Sequence, residues 1–481
     1  GRRASVPGRC GVRGREGRDR VTVVPERDAW KALAALVIGF FMILVDQTIV
    51  AVATEAFVTQ LGATTNQVIW VTSAYLLAYV VPLLFTGRLG DQIGPRTVAI
   101  AGLVVFTGAS LWCGLAPDVE TLIVARVFQG IGAALLTPQS LSVITRVFAS
   151  DRRGAAMGAW GAVAGIASVV GPVLGGVLID TFDWRWIFFV NIPFGIVAVV
   201  LVWLWVPTLQ TRRHSYDIPG ILLSAVGMFL LVYGVQQGES HGWGATTGAF
   251  IALGLLALVV FLWWQSRVRT EPLVPLRLFR DRNFSIGNFG VSTIGFVTAG
   301  TMVPLMFYLQ GVKGMSPTTA GLMLLPMAVI AGILAPIVGR LADRLDPRIF
   351  TGIGYFSYSI SLIWLALVMD SFTSIPMLLG PIALMGVGNG CVWAPTSSTA
   401  MRRLELESAG AGSGVYNTTR QVGAVLGSAA IGALMQARLV AHGDVGQAVA
   451  DAMFLPAVVV LLGGLATMAF RTDEQSVSSA R

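Results

Sequence analysis

Fourteen apolar blocks, each about as long as a bilayer is thick, constrain this chain more than any other feature. They fall at roughly 30–54, 67–87, 97–116, 121–143, 155–178, 185–206, 217–237, 246–264, 284–309, 318–339, 348–369, 377–399, 411–434 and 452–470. A helix needs about 20 apolar residues to span the hydrocarbon. The least clearly marked are the seventh and eighth, which are short and joined by QQGESHGWGAT. Hydrophobic residues make up 55% of the 481 positions and charged residues 12%, against about 25% charged in an ordinary soluble domain. The mean hydropathy of +0.74 leaves too little polar surface to cover soluble cores. The expectation is an all-α polytopic membrane protein.

The arginines orient it. With an even number of spans both termini share one side, and 28 of the 33 Lys and Arg residues fall on that side. The other side holds only Arg185, Lys313 and Arg438, while Arg126 and Arg420 lie within spans. Positive charge gathers in cytoplasmic loops, which predicts cytoplasmic termini and a multi-pass protein of the inner (plasma) membrane. The net charge of +8 is therefore topological, and nucleic acid is not an expected partner. Acids on the other side, Asp118 and Asp444 among them, read either as weak attractors of cations or as solvated turns. The Arg/Gly-rich stretch 1–29 reads either as a disordered cytoplasmic tail or as sequence joined upstream of the gene. Cys10, Cys113 and Cys391 have no metal-ligand spacing and read as apolar or incidental thiols.

An internal repeat divides the chain. GRLGDQIGPR at 87–96 follows the second span and GRLADRLDPR at 339–348 follows the tenth. Matching motifs in matching loops indicate duplication, with the seventh and eighth spans inserted. The expected units are a tail at 1–29, six helices over 30–207, two inserted helices over 208–270, six helices over 271–470 and a tail at 471–481. The halves would be related by an axis along the membrane normal. Gly87 and Gly339 would let the chain turn or let helices approach. Gly87, Arg88, Asp91, Arg96, Asp343 and Arg344 become candidates for contacts made in one conformational state and broken in another.

Glycine marks two spans in particular, RVFQGIGAALLTP at 126–138 and GAWGAVAGIASVVGPVLGG at 158–176. Small residues admit close helix contact, and Pro172 weakens the local hydrogen-bond ladder. Gly171, Pro172, Gly175 and Gly176 are either simple packing positions or a conformational element.

Asp46 stands mid-span in MILVDQTIVAVATE, where charge is costly and functional by default. Either it exchanges protons, or it makes a structural hydrogen bond to a neighbouring helix, or it is held nearer the membrane edge. Glu55, nine residues on and about 13.5 Å along a helix, belongs near the outer surface, as a second proton or cation site or as a solvated helix end. Arg126 either snorkels to the interface or acts inside. Arg420, flanked by Asn417 and Gln421, serves either the substrate or a buried polar network. No GxxxxGK[ST] loop is present, so no ATP site and no cofactor are expected.

These stretches together resemble the major facilitator superfamily, and within it the fourteen-helix drug:proton antiporters of the QacA and EmrB type, over about residues 30–470. The loop signature GxLaDrxGxR matches Gly87, Leu89, Asp91, Gly94 and Arg96. RxxQGxGaa matches Arg126, Gln129, Gly130, Gly132, Ala133 and Ala134. The export-associated GPxxGG matches Gly171, Pro172, Gly175 and Gly176, and WRWIFFVN resembles the branch's WRWiFliNvP through Asn191 and Pro193. Two departures stand out: Ala51 and Thr54-Glu55 replace the usual Asn and Leu-Pro of the first helix, and Asp346 stands where the first repeat has Gly94.

The resemblance implies a transporter and not an enzyme, with Asp46, Arg126 and Glu55 in proton coupling and Arg126 as the partner of Asp46. Gln129, Arg420 and Asn417 are the candidate substrate residues. Few embedded charges point to small lipophilic or cationic substrates, carried by a protein that functions as a monomer. The alternatives are a narrow-specificity exporter of an endogenous metabolite, an uptake permease and a non-transporting membrane protein.

Overall fold

The computed structural model describes residues 25–148, 153–209, 211, 217–238, 243–268, 272–342, 345–370, 373–404 and 409–471. Residues 1–24 of the tail expected at 1–29, the end of the chain from 472, Asp343 and Arg344 lie outside these residues, while the last positions of that expected tail, from Glu26, already belong to the first helix. So do the side chain of Asp91 and those of most of the stretch 153–169, which holds the first glycines of GAWGAVAGIASVVGPVLGG.

Every described element is helical. α1 (Glu26–Ile49) passes through a 3₁₀ turn (Val50–Ala53) into α2 (Thr54–Leu61), followed by α3 (Thr65–Ile93), α4 (Pro95–Gly114), α5 (Val119–Val147) and α6 (Arg153–Thr181). The short α7 (Trp186–Phe189) leads into α8 (Asn191–Trp205). α9 (Ile218–Gln236) and α10 (Ala245–Arg267) pack on each other. The remaining helices are α11 (Arg282–Met306), α12 (Pro317–Leu322), α13 (Leu325–Ala342), α14 (Pro347–Val368), α15 (Ile375–Met401), α16 (Ala409–His442) and α17 (Val445–Thr467). Among the described residues thirteen helices are long and apolar enough to cross a membrane, and α6 contributes the shorter apolar stretch Val170–Thr181. Large apolar side chains such as Trp203, Val259 and Leu367 are exposed, as a lipid solvent requires.

Polar residues set the helix ends. Thr64 and Gln67 form a capping box at α3, with Gln67 N–H donating to Thr64 Oγ1 at 3.3 Å and Thr64 N–H to Gln67 Oε1 at 2.9 Å. Asp118 accepts from Thr121 N–H at 2.7 Å and Asp444 from Gln447 N–H at 3.1 Å. Both acids read as solvated turns therefore also satisfy the orphan N–H groups of a first helical turn.

The repeated motif proves to be mostly helix. α3 continues through Gly87 to Ile93, and the chain reverses at Gly94, where φ is +95°. Only glycine takes that conformation readily. Gly87 lies within the helix, and a Cβ there would make only ordinary contact with Pro138 Cβ of α5 at 3.8 Å, so neither a turn nor a close approach requires glycine at this position. Gly90 approaches more closely, since a Cβ there would meet the Gln139 amide at 1.8 Å. In the second copy Asp346 has φ −61° and caps α14 through Arg348 N–H at 2.9 Å. That turn needs no left-handed residue, so an aspartate fits where the first copy needs glycine.

Helices α1 and α3 to α8 pack among themselves, as do α11 and α13 to α17, and α9 rests on α3 and α16. The two sets meet where α3 lies on α16, where α6 lies on α12 and α13, and where the Val50–Ala53 turn meets α11 and α12. Specific contacts across this junction cluster toward the arginine-poor end. Ser73 and Ser428 hydroxyls are 2.9 Å apart, Gln310 Nε2 donates to Val52 O at 2.8 Å, and Thr318 N–H donates to Asp180 Oδ2 at 3.0 Å. The Gln310 bond uses a carbonyl within the 3₁₀ turn, where the α-helical ladder is interrupted. Glu55 is thus not on one continuous α-helix with Asp46, as a simple 1.5 Å rise assumes.

Candidate functional site: a buried ion pair

Asp46 is fully buried on α1, and Arg126, two turns into α5, is 1% exposed. Arg126 Nη1 donates to Asp46 Oδ2 at 2.5 Å. The same nitrogen donates to Gln129 Oε1 at 2.6 Å, and Nε donates to the Val71 carbonyl of α3 at 3.1 Å. The other carboxylate oxygen, Oδ1, accepts from Gln129 Nε2 at 2.8 Å and from Asn191 Nδ2 at 3.0 Å. Gln129 Nε2 also reaches Ser110 Oγ at 2.9 Å, and Ser110 donates back to Phe106 O. The Arg126 guanidinium lies 4.1 Å from the centre of the Tyr75 ring.

Five helices build this cluster: Asp46 comes from α1, Val71 and Tyr75 from α3, Ser110 from α4, Arg126 and Gln129 from α5, and Asn191 from the first turn of α8. Arg126 and Gln129 share a face because they are three residues apart on one helix. Taking both charges out of water is expensive, and the pairing is sustained only when further hydrogen bonds complete it. Here Gln129 and Asn191 complete the carboxylate, and the Val71 carbonyl and the Tyr75 face complete the guanidinium. The arrangement holds a charge pair buried among five helices, with both carboxylate oxygens hydrogen-bonded.

The structure brings Asp46 and Arg126 together, so Arg126 does not snorkel. Gln129, expected at the substrate, sits wholly inside the same cluster. Glu55 does not join it. Its half-buried carboxylate on α2 lies beside Gly311 of the π-helical turn Phe307–Val312 that ends α11, with Oε2 3.4 Å from where a Cβ on Gly311 would sit. Arg420 and Asn417 lie on α16, half-buried and apart from the ion pair. Arg88 donates to the Pro272 carbonyl at 2.6 Å, in the segment after α10, and Arg96 is half-buried at the start of α4.

The GPxxGG stretch lies between two helices. A Cβ on Gly171 would fall 1.9 Å from Thr48 Oγ1 and one on Gly175 2.6 Å from Ile49 Cγ1, both on α1. On the other side, a Cβ on Gly176 would fall 2.4 Å from Thr318 Cα, and one on Gly321 of α12 would meet Pro172 O at 2.5 Å. Close contact on both faces, with α1 side chains on one and the α12 backbone on the other, explains the three glycines, and it places this motif at the junction of the two helical sets.

Ser110, Tyr75 and Asn191 were not among the residues that sequence reasoning put forward as functional. Asn191 carried the one available signal, an amide within the apolar run WRWIFFVN. A serine or tyrosine in a membrane helix gives no comparable mark.

The model of the Major Facilitator Superfamily matches residues 36–428. The chain belongs to that superfamily. It is 45% identical over 468 residues to an MFS-type transporter of Mycobacterium tuberculosis (strain ATCC 25618 / H37Rv) that is itself uncharacterized, with 92% of this chain and 81% of the relative aligned. The tetracenomycin C resistance and export protein of Streptomyces glaucescens is 35% identical over 86% of this chain and 77% of its own. The multidrug resistance protein Stp of Mycobacterium tuberculosis (strain CDC 1551 / Oshkosh) is 32% identical over 85% and 76%. These relatives set the chain among the drug-exporting members of the superfamily. The fold also matches that of a bacterial homologue of the human lysosomal transporter Spinster, with a TM-score of 0.65 at 16% identity, covering 93% of this chain and 98% of that one.

Proposed function

We propose that this protein is a proton-coupled antiporter that exports lipophilic, drug-like compounds by alternating access. The observation that carries the reading is the buried Asp46–Arg126 pair with its Gln129 and Asn191 partners. A proton arriving at Asp46 removes the charge that Arg126 faces. The guanidinium then keeps only Gln129, the Val71 carbonyl and the Tyr75 ring, and the packing of α1 against α5 no longer has an ion pair to preserve. Such a change biases a two-state helix arrangement, which is what coupling requires. Glu55, Gly311 and the GPxxGG stretch lie where the two sets would part.

We take α6 as the fourteenth span, the halves as residues 30–207 and 271–470 with 208–270 inserted, and the protein as a monomer of the plasma membrane with cytoplasmic termini. On that orientation the contacts Ser73–Ser428, Gln310–Val52 and Thr318–Asp180 hold the junction on its outer side. Gly171, Pro172, Gly175 and Gly176, with Gly87, Arg88, Asp91, Arg96, Asp343 and Arg344 at the cytoplasmic end, are the elements we assign to the conformational change. A narrow-specificity exporter is the second reading, favoured by the relative named for export of one compound, tetracenomycin C.

The test uses purified protein in liposomes with fluorescent lipophilic probes and an imposed pH gradient. Gradient-dependent accumulation by wild type that is lost in Asp46→Asn supports the proposal. Equal accumulation by both proteins removes Asp46 from the coupling step.

A further inference from the structure

Two arginines stand inside membrane helices, and their surroundings are opposite. Arg126 has a carboxylate, an amide oxygen and a carbonyl. Arg420 has neither a hydrogen bond nor an ion pair among the described residues. Its electrostatic neighbours are the hydroxyls of Tyr79 and Tyr416, and its guanidinium lies 6.0 Å from the centre of the Trp393 ring. Tyr79 belongs to α3, Trp393 to α15 and Tyr416 to α16, so Arg420 faces the boundary between the two helical sets.

The groups around it are chiefly donors left without acceptors. Gln421, whose side chain lies beside Tyr79, is 2% exposed with Nε2 unpaired, and Tyr416 is 7% exposed with its hydroxyl unpaired. Tyr79 already donates to Thr137 Oγ1 at 2.9 Å. An unpaired guanidinium inside a membrane protein is costly unless something compensates it. Convergence of a cation, a free amide N–H and a free hydroxyl describes a site that lacks an anion. Aromatic rings at its edge suit a flat apolar body next to that anion.

We propose that Arg420 anchors an anion-binding subsite between α3, α15 and α16, which takes a carboxylate or similar acidic group carried on an aromatic, lipophilic substrate. This rests on the export reading above and reverses the expected charge preference: Asp46 is already occupied by Arg126, and among the described residues Arg420 is an embedded positive charge without an ion pair. Arg420 Nη groups and Gln421 Nε2 hold the acid, Tyr416 supplies a further donor, and Trp393 and Tyr79 flank the rings.

The test measures uptake into liposomes of phosphatidylcholine and phosphatidylethanolamine containing the full chain, driven by a pH gradient. Three probes are compared: a fluorescein-type carboxylate, its neutral methyl ester and a rhodamine-type cation. Wild type should favour the carboxylate over the ester. Arg420→Gln should lower the carboxylate-to-ester ratio about tenfold to a hundredfold, the range for a lost hydrogen bond to a charged group. Arg420→Lys, which keeps the charge without the planar fork, should fall between. Wild type that carries the cation in preference to the carboxylate would overturn the anion site and leave export standing. An unchanged ratio in Arg420→Gln, or Arg420→Lys behaving as Gln while wild type shows no preference, would also overturn it. Folded wild type that moves none of the three probes would overturn the export reading itself.

Discussion

Arg126 Nη1 sits 2.5 Å from Asp46 Oδ2, with both side chains sealed from solvent and 80 residues apart in sequence. Removing one member should strand the other. Asp46→Asn is expected to lower stability by about 3–5 kcal/mol, the usual effect of breaking a buried pair from one side. The double variant Asp46→Asn/Arg126→Gln should recover part of that loss and still lack proton-driven exchange. Thermal denaturation in detergent, read beside transport, checks both. Additive losses in the double variant would mean that the two residues do not act as a pair.

Asn191 Nδ2 donates to the same carboxylate at 3.0 Å from the first turn of α8. Asn191→Ala should cost about 1.5–3 kcal/mol, the range for a hydrogen bond to an ionised group. Asn191→Asp would set a second carboxylate against Asp46 and should cost more. Denaturation midpoints ranked wild type, then Ala, then Asp would bear this out; an Ala variant as stable as wild type would show that the bond contributes nothing.

Gly176 touches the α12 backbone so closely that Gly176→Ala places a Cβ 2.4 Å from Thr318 Cα and 2.6 Å from Pro317 O. Neither atom can step aside as a flexible side chain would. The variant should lose about 1–3 kcal/mol of packing at this junction and shift the population away from the state described here. Labelling of a cysteine placed near Thr318 should rise. Gly248→Ala on α10, where nothing lies within 4 Å, is the matched control and should change neither reading.

Asp118 caps the helix that carries Arg126, and its hydrogen bonds from the Thr121 backbone N–H and hydroxyl hold its carboxyl below the ordinary value of 3.8. A depressed carboxyl stabilises the fold above its unfolded value, and that contribution disappears as pH falls through the lower folded value. Wild type should therefore be more stable than Asp118→Ala at neutral pH, with the gap closing in acid below the ordinary carboxylate range. A gap independent of pH would assign the effect to something other than the charged cap.

Much of this was legible beforehand because the signals are local. Each of the fourteen apolar blocks has a helical counterpart, since the length of an apolar run reports directly on its solvent. The blocks at 185–206 and 318–339 nevertheless contain breaks, between α7 and α8 and between α12 and α13, which uniform hydrophobicity conceals. The motif at 87–96 looked like a loop because glycine and charge interrupt the apolar pattern, yet α3 runs through it until Gly94 demands a positive φ. Asp46 and Arg126 were conspicuous because charge is rare in such helices. Gln129 was assigned to the substrate because its position on α5 does not reveal which neighbour it meets.

By itself, then, the sequence determined the solvent of the chain, the number of apolar blocks, the distribution of arginines and the two buried charges most in need of explanation. These follow from composition along the chain, where each residue carries its own transfer free energy. Only the tertiary structure decided that Asp46 is neutralised by Arg126, that Asn191 completes the carboxylate, and that Arg420 is left facing donors and aromatic rings. A buried charge is defined by what stands within about 4 Å of it, and in a bundle those neighbours come from helices distant in sequence.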